Sequence, residues 1–155
     1  MLVRLYALPP LAPALADCAG KGITIRRPLA PEKPAVLAWV REHFQSSLAE
    51  VEAAFAHVPA RCFVALREGA IAGFACHDVT CRNYFGPEGV APTARGLGIG
   101  RALLLSALHA QRTAGYAYAI IGGVGPAAFY RSTVGATDIA DSTPGIYAPP
   151  ASPVT

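Results

Sequence analysis

The sequence predicts an α/β domain in which helices flank a mixed central sheet. Strand and helix patterns alternate along the chain, and the 155 residues are 53% hydrophobic but only 15% charged. A chain of this length and composition can bury one hydrophobic core of its own. We therefore expect one domain over residues 22–155, preceded by a short helical extension over residues 1–21.

The N-terminal extension is predicted to contain a single short helix. Leu11 and Leu15 lie on one helical face, and Gly20 is a typical stop signal. Prolines interrupt the apolar stretch before Cys18, whereas an export signal needs a continuous apolar segment. Export is therefore disfavoured.

Hydrophobic periodicity and turn signals define the remaining elements. They are, in order, strand 22–26, helix 35–42, helix 46–59, strand 62–67, strand 70–79, strand 85–91, helix 101–113, strand 116–124, helix 126–134 and a strand at 146–147. A serine cap is expected to open the second helix. The turn Glu68-Gly69 predicts a hairpin, and the apolar run at 116–124 indicates a strand covered on both faces.

Charge and cysteine content disfavour several classes of protein. The net charge is +3, and the arginines are scattered apart from Arg26-Arg27, so no basic stripe indicates nucleic-acid binding. No apolar run reaches the roughly 18 residues of a membrane-spanning helix. The four cysteines have neither Cys-x-x-Cys spacing nor nearby histidine pairs, which favours reduced cytoplasmic thiols and no metal site.

The glycine-rich turn at residues 95–101 is the strongest functional signal. A turn from a strand into a helix directs unpaired N–H groups and the positive end of the helix dipole at one point. Its three glycines let the backbone approach a diphosphate, and Arg95 and Arg101 add charge, although a tight structural loop has the same composition. Arg101 replaces the third glycine of a dinucleotide fingerprint, and the Lys-Ser/Thr of a P-loop is absent, which excludes both nucleotide motifs.

The segment 89–104 resembles the core motif of the GNAT superfamily of acetyl-CoA-dependent N-acetyltransferases, Arg/Gln-x-x-Gly-x-Gly/Ala. Arg95, Gly98 and Gly100 occupy its fixed positions, and Phe129-Tyr130 resembles the family's second motif, Phe-Tyr-x-x-x-Gly. The resemblance implies a GNAT fold with acetyl-CoA as co-substrate. The residues that it implies for binding acetyl-CoA are Val90, Ala91, Arg95, Gly96, Leu97, Gly98, Ile99, Gly100 and Arg101.

Three departures from the family pattern leave a second hypothesis open. Gly123 stands where many members carry an asparagine that contacts the pantetheine arm, and one extra residue separates Tyr130 from Gly135. Ala136 stands where an aromatic residue usually follows the glycine. A non-catalytic, acyl-CoA-binding regulatory protein is therefore the alternative to an enzyme.

The resemblance also implies a mechanism in which an amine attacks the thioester directly. The backbone N–H of Val90 would donate to the thioester carbonyl, and Tyr130 would protonate the departing thiolate. Tyr130 also suits a plain core position. The candidates for the general base are Glu88, His77 and Asp78. We rank Glu88 first because it shares the strand face of Val90. An exposed carboxylate at a strand edge would show the same sequence pattern.

The acceptor implied by the resemblance is a primary amine of a small molecule or peptide. Four aromatic residues can line either an acceptor pocket or the core, with the core favoured: Trp39, Phe44, Tyr84 and Phe85. Similar proteins often form homodimers, so a homodimer is also an expectation.

Overall fold

Six strands of the chain form one mixed sheet. The computed structural model describes residues 1–147, so residues 148–155 of the predicted domain lie outside the described part. The strands are β1 (Leu2–Arg4), β2 (Ile23–Arg26), β3 (Cys62–Arg67), β4 (Ala70–His77), β5 (Tyr84–Val90) and β6 (Tyr118–Ile121). Their order across the sheet is β1-β6-β5-β4-β3-β2, which confirms the predicted fold class.

Helices cover both faces of this sheet. They are α1 (Leu11–Ala19), α2 (Lys33–His43), α3 (Leu48–Ala54), α4 (Ile99–Thr113) and α5 (Ala127–Val134). Helices α1, α4 and α5 contribute to one hydrophobic cluster, and α2 and α3 contribute to a second cluster. Each helix corresponds to one predicted from the sequence, with bounds that differ by a few residues.

The parallel pair β5–β6 separates soon after it begins. Only two registered pairs join these strands, Tyr84 with Ile120 and Phe85 with Ile121. Strand β5 then continues to Val90 beside β4, whereas β6 ends at Ile121. An opening in the sheet therefore begins just beyond Phe85.

Helix α4 packs against the sheet through the apolar face that its sequence predicts. Leu103, Leu104, Leu108 and Gln111 are all fully buried. The helix approaches β4 closely at Gly73, where a Cβ atom would lie 3.1 Å from Leu103 Cδ1 and 2.9 Å from a neighbouring carbonyl oxygen. Glycine at position 73 therefore brings α4, and with it the glycine-rich turn, close to the sheet.

Two N-terminal features differ from the sequence predictions. Residues Leu2–Arg4, expected within a helical extension, form an edge strand antiparallel to β6, and the predicted helix follows as α1. Ser47 precedes α3, but its side chain makes no capping hydrogen bond. The first 21 residues contribute to the same core as the rest of the sheet, and a domain boundary at residue 21 stays a prediction.

Two C-terminal predictions are wrong. The strand expected at 116–124 is reduced to β6, and its outer face is not covered, since Tyr118 is exposed and Ile120 only half-buried. An apolar run of nine residues overstates the strand because the chain turns away after Ile121. Residues Gly145–Tyr147 form one turn of 3-10 helix instead of the predicted last strand.

Candidate functional site

The glycine-rich turn presents its backbone in the conformation that the sequence predicts. Gly96 and Gly98 have φ angles of +78° and +87°, in the left-handed region that favours glycine. Gly98 is the N-cap of α4, which begins at Ile99. The first amides of a helix have no partner within it, so the turn offers N–H donors and the positive end of the α4 dipole to an anion.

Helix α1 holds this turn through a contact that the sequence analysis missed. The Lys21 ammonium donates to the carbonyl oxygen of Leu97 at 3.1 Å and to Asp17 Oδ2 at 2.7 Å. A Cβ atom on Gly98 would lie 2.8 Å from the same Asp17 oxygen. The four-residue spacing of Asp17 and Lys21 indicates a helical ion pair, but no sequence signal links it to a turn 76 residues away.

A first cavity, of about 460 Å³, lies beside the turn. Seven of the nine predicted cofactor-binding residues line it: Val90, Arg95, Gly96, Gly98, Ile99, Gly100 and Arg101. Ala91 does not line it, because this residue is buried and its amide donates to the Ala72 carbonyl. Leu97 also lies off the cavity. We name this space the turn cavity.

The amide of Val90 points toward the opening between β5 and β6. Successive amides of a strand point to opposite edges, and the next amide, that of Ala91, is bonded to β4 at 2.9 Å. Because β6 ends before this level, the Val90 N–H has no strand beside it there. The Arg95 side chain lies close by and donates from Nε to the Val90 carbonyl at 3.4 Å.

A second cavity, of about 290 Å³, occupies the opening itself. Its walls come from the start of β5, the segment that follows β6, and Glu50, Thr80 and Tyr147. We name this space the cleft cavity. Glu88, Pro126 and Tyr130 line both cavities. The two residues ranked first as acid and base therefore lie where the two cavities meet.

Glu88 is held in an environment that disfavours its charge. Its Oε1 atom is buried and has no hydrogen-bond partner. Burial raises the pKa of Glu88 to about 8. A Cβ on Gly100 would lie 3.6 Å from that oxygen and 3.8 Å from Val90 Cγ2, so Glu88 and Val90 share a face of β5, as predicted.

Tyr130 lies on α5 and is 8% exposed. Its ring makes edge contacts with Phe129 and Phe85, with ring centroids 5.3 Å and 6.2 Å away. Burial raises the pKa of the Tyr130 hydroxyl, and the nearby Glu88 charge raises it further. The hydroxyl therefore keeps its proton, which a proton donor requires.

His77 and Asp78 line neither cavity. They hydrogen-bond to each other, Nδ1 to Oδ2, at 2.8 Å, and Asp78 also accepts from the Asn83 amide at 2.6 Å. Burial opposes the ionisation of Asp78, but the bonds from His77 and Asn83 outweigh it and lower the pKa of Asp78. Both residues thus stabilise the turn before β5. Of the three candidate bases, Glu88 is the one that lines the cavities.

Three of the four aromatic residues considered for an acceptor pocket lie in or against the core. Trp39 and Phe44 pack around Phe74, with ring centroids 6.3 Å and 5.6 Å from it. Phe85 lines the cleft cavity, whereas Tyr84 lines a separate space near the C-terminal turn. The core interpretation is therefore confirmed for Phe85, which is itself a buried core residue, and for Trp39 and Phe44, which are half-buried and pack against the core.

The departures from the family pattern have clear backbone consequences. Gly123 lies on the wall of the cleft cavity with φ of +55°. Gly135 ends α5 with φ of +63°, and its amide donates to the Arg131 carbonyl at 3.1 Å. Ala136 then donates to the Tyr130 carbonyl at 3.4 Å. This left-handed cap ends α5 one residue later than the family pattern implies, and the helix keeps Tyr130 on its inner face.

No group of three or more His, Cys, Asp or Glu side chains in residues 1–147 is arranged to hold a metal ion. None of the helices in the described part has the length and apolar character needed to cross a membrane.

A family model matches the part of the chain that contains most of the candidate site. A family model described as the acetyltransferase (GNAT) domain matches residues 59–133, a range that includes β5, the glycine-rich turn and Tyr130. Residues 59–133 belong to the GNAT acetyltransferase family. Acyl transfer from an acyl-coenzyme A is accordingly the class of reaction that the family supports.

Solved structures agree with the GNAT fold. One is a GCN5-related glucosamine N-acetyltransferase region in a fungal multi-domain β-N-acetylglucosaminidase, with a TM-score of 0.71 and 15% identity over 86% of this chain and 19% of that one. Another is the C-terminal domain of a protein described as a lysylphosphatidylglycerol synthetase from Agrobacterium fabrum, with a TM-score of 0.50 and 17% identity over 78% of this chain and 45% of that one. The chain thus spans less than half of each, and at these identities the likeness concerns the fold alone. No curated protein matches the chain.

Proposed function

We propose that this protein transfers the acetyl group of acetyl-CoA to a primary amine of a small molecule or peptide. The observation that carries the proposal is that Glu88 and Tyr130 line both the turn cavity and the cleft cavity. An acid and a base at such a junction face two reactants that approach from opposite sides. Direct transfer needs this arrangement, because both reactants must be held together.

The turn cavity fits the diphosphate end of coenzyme A. A Cβ on Gly96 would meet no atom within 4 Å, so the backbone is open to a ligand at this point. The free amides at the start of α4 would bind the diphosphate, with Arg95 and Arg101 beside them. The co-substrate supplies an acetyl group that is already activated as a thioester.

Glu88 and Tyr130 would move the protons of the reaction. Glu88 takes a proton from the ammonium form of the acceptor, whose pKa is about 10, and a base with a pKa of about 8 does this far better than an ordinary carboxylate. The Val90 N–H donates to the carbonyl oxygen while the new carbon–nitrogen bond forms and the carbon–sulfur bond breaks. Tyr130 donates its proton to the leaving sulfur, and the second proton that the nitrogen loses on becoming an amide restores the Tyr130 hydroxyl.

The two proton transfers help each other. The charge of Glu88 contributes to the raised pKa of Tyr130. Once Glu88 has taken a proton, that charge is gone and the Tyr130 hydroxyl becomes a stronger acid. Proton uptake by Glu88 therefore lowers the pKa of Tyr130 before the sulfur leaves.

Thiol release from acetyl-CoA, measured with a panel of amines, tests this function. The panel includes diamines, matching monoamines, glucosamine and a short peptide, and mass spectrometry identifies the acetylated product. Expected is acceptor-dependent thiol release with one N-acetyl group added per acceptor. Tight binding of acetyl-CoA without turnover on any acceptor would overturn the proposal and favour an acyl-CoA-binding regulatory protein.

A further inference from the structure

The cleft cavity has a charge pattern that selects among amines. Glu50 and Glu88 are the acidic side chains on its walls, and no Lys, Arg or His of residues 1–147 lines it. The rest of the described wall consists of glycine, proline, aromatic and threonine residues and Ile121. A cationic acceptor meets no charge repulsion in such a space, whereas an acceptor that carries a carboxylate or phosphate meets two acidic groups.

Glu50 is positioned at this cavity by its own contacts. It lies in the first turn of α3, and its Oε1 accepts a hydrogen bond from the Thr80 hydroxyl. That bond occupies one carboxylate oxygen and orients the group on the wall. Glu50 also contributes, after burial, to the raised pKa of Tyr147 across the cavity.

Glu88, which lines both cavities, carries an unsatisfied polar atom where they meet. Its Oε1 is buried without a hydrogen-bond partner, which is costly unless a ligand group satisfies it. Glu50 and Glu88 are thus two separate acidic groups. Thr80 orients Glu50, whereas Oε1 of Glu88 has no hydrogen-bond donor. A ligand with two cationic groups can use both.

The size of the cavity limits the ligand to a small molecule. Its volume of about 290 Å³ lies at the lower end of the range of about 300–1,000 Å³ that ligand pockets span. The walls include Gly86, Gly122 and Gly123, which keep the space open. At Gly122 even a Cβ would lie 2.5 Å from the Tyr147 hydroxyl. The space suits a short flexible chain better than a folded peptide segment.

We propose that the acceptor is a small amine with a second positive charge, and that Glu50 binds this second cation while Glu88 faces the amine that reacts. This inference rests on the proposed function and specifies its substrate class. Glu50 is thereby a specificity-determining residue. Its carboxylate distinguishes a diamine from a monoamine of the same length.

Matched pairs of acceptors test this selectivity. The probes are the straight-chain diamines from diaminopropane to diaminohexane, each paired with the monoamine in which a methyl group replaces the second ammonium. For the wild type we expect kcat/KM to favour the best diamine by about tenfold over its monoamine, as a hydrogen bond to a charged group predicts. Glu50→Gln is expected to abolish this ratio. Glu52→Gln, which removes an exposed carboxylate of the same helix that pairs with Lys33, is expected to retain it.

Binding of the same amines to the coenzyme A-loaded protein separates the inference from the proposed function. A Glu50-dependent, about tenfold tighter binding of the diamine supports the inference even if no thiol is released, in which case only the proposed function fails. Turnover of both amines with equal kcat/KM keeps the function and overturns the inference. The inference also fails if the preference survives in Glu50→Gln, or if neither amine binds or reacts.

Discussion

Replacing Glu88 by glutamine tests whether the buried carboxyl resists ionisation. Burial raises the pKa of Glu88 from 4.5 to about 8, so the folded protein keeps this proton at pH values where the unfolded chain has lost it. The carboxyl therefore contributes its full stability below pH 4.5, and this contribution is lost as the pH rises toward about 8. Glutamine has a similar shape and no proton to lose.

The magnitude follows from the width of this pH window. The interval from 4.5 to about 8 is about 3.5 pH units. At about 1.4 kcal/mol per unit it amounts to about 5 kcal/mol. This is an upper value, because Glu88 as a whole residue is only partly buried. Across the window we expect Glu88→Gln to gain a few kcal/mol in free energy of unfolding relative to the wild type.

Urea unfolding at matched ionic strength measures this difference. Wild type and Glu88→Gln are compared at intervals from about pH 4.5 to about pH 9. Glu42→Gln, which removes an exposed carboxylate, controls for the change in net charge. A difference between wild type and Glu88→Gln that stays constant across the window would refute the raised pKa and the burial that causes it.

Three further predictions concern catalysis and the turn. The kcat/KM for an amine should rise with pH through about 8 as Glu88 loses its proton. This rise should be absent from the pH profile of Glu88→Gln. If the variant keeps the rise, Glu88 is not the general base. Tyr130→Phe should lower kcat by about 100-fold and leave the Kd for acetyl-CoA, measured by calorimetry, unchanged. The control Tyr118→Phe, at an exposed position, should change neither constant. An unchanged kcat in Tyr130→Phe would exclude Tyr130 as the general acid. Gly98→Ala should lower the free energy of unfolding in urea by about 1–2 kcal/mol, because alanine at this position must adopt a positive φ. The loss should exceed that of Gly96→Ala, because the new Cβ at position 98 also contacts Asp17. Equal losses in the two variants would disprove that contact.

Local signals explain why much of the fold could be predicted from sequence. The spacing of Leu104 and Leu108 marks the buried face of α4, and Gly135 marks the end of α5. By contrast, β1 has three residues and pairs with a strand more than a hundred positions later, so no local pattern marks it. The apolar run at 116–124 predicts a longer strand than β6, because periodicity cannot tell where the chain leaves the sheet.

The candidate site divides in the same way between local and tertiary information. Alternation along β5 places Glu88 on the face of Val90, and the turn motif identifies Arg95 and Gly98. The burial of Glu88 and the position of Glu50 on the cleft cavity depend on how α3, α5 and the sheet pack. These are tertiary relations between distant segments, so hydrophobic patterns and short motifs do not contain them.

The separation of β5 from β6 gives the sheet an inner edge as well as its two outer ones. Outer edges expose backbone donors and acceptors to any passing chain, and proteins must protect them from aggregation. From Glu88 to Val90, β5 pairs with β4 on one side and has no paired strand on the other. A ligand with amide groups along its length can hydrogen-bond to that side of β5, where the neighbouring strand is missing. The opening thus lets a ligand take the place that a paired strand would otherwise occupy in the sheet.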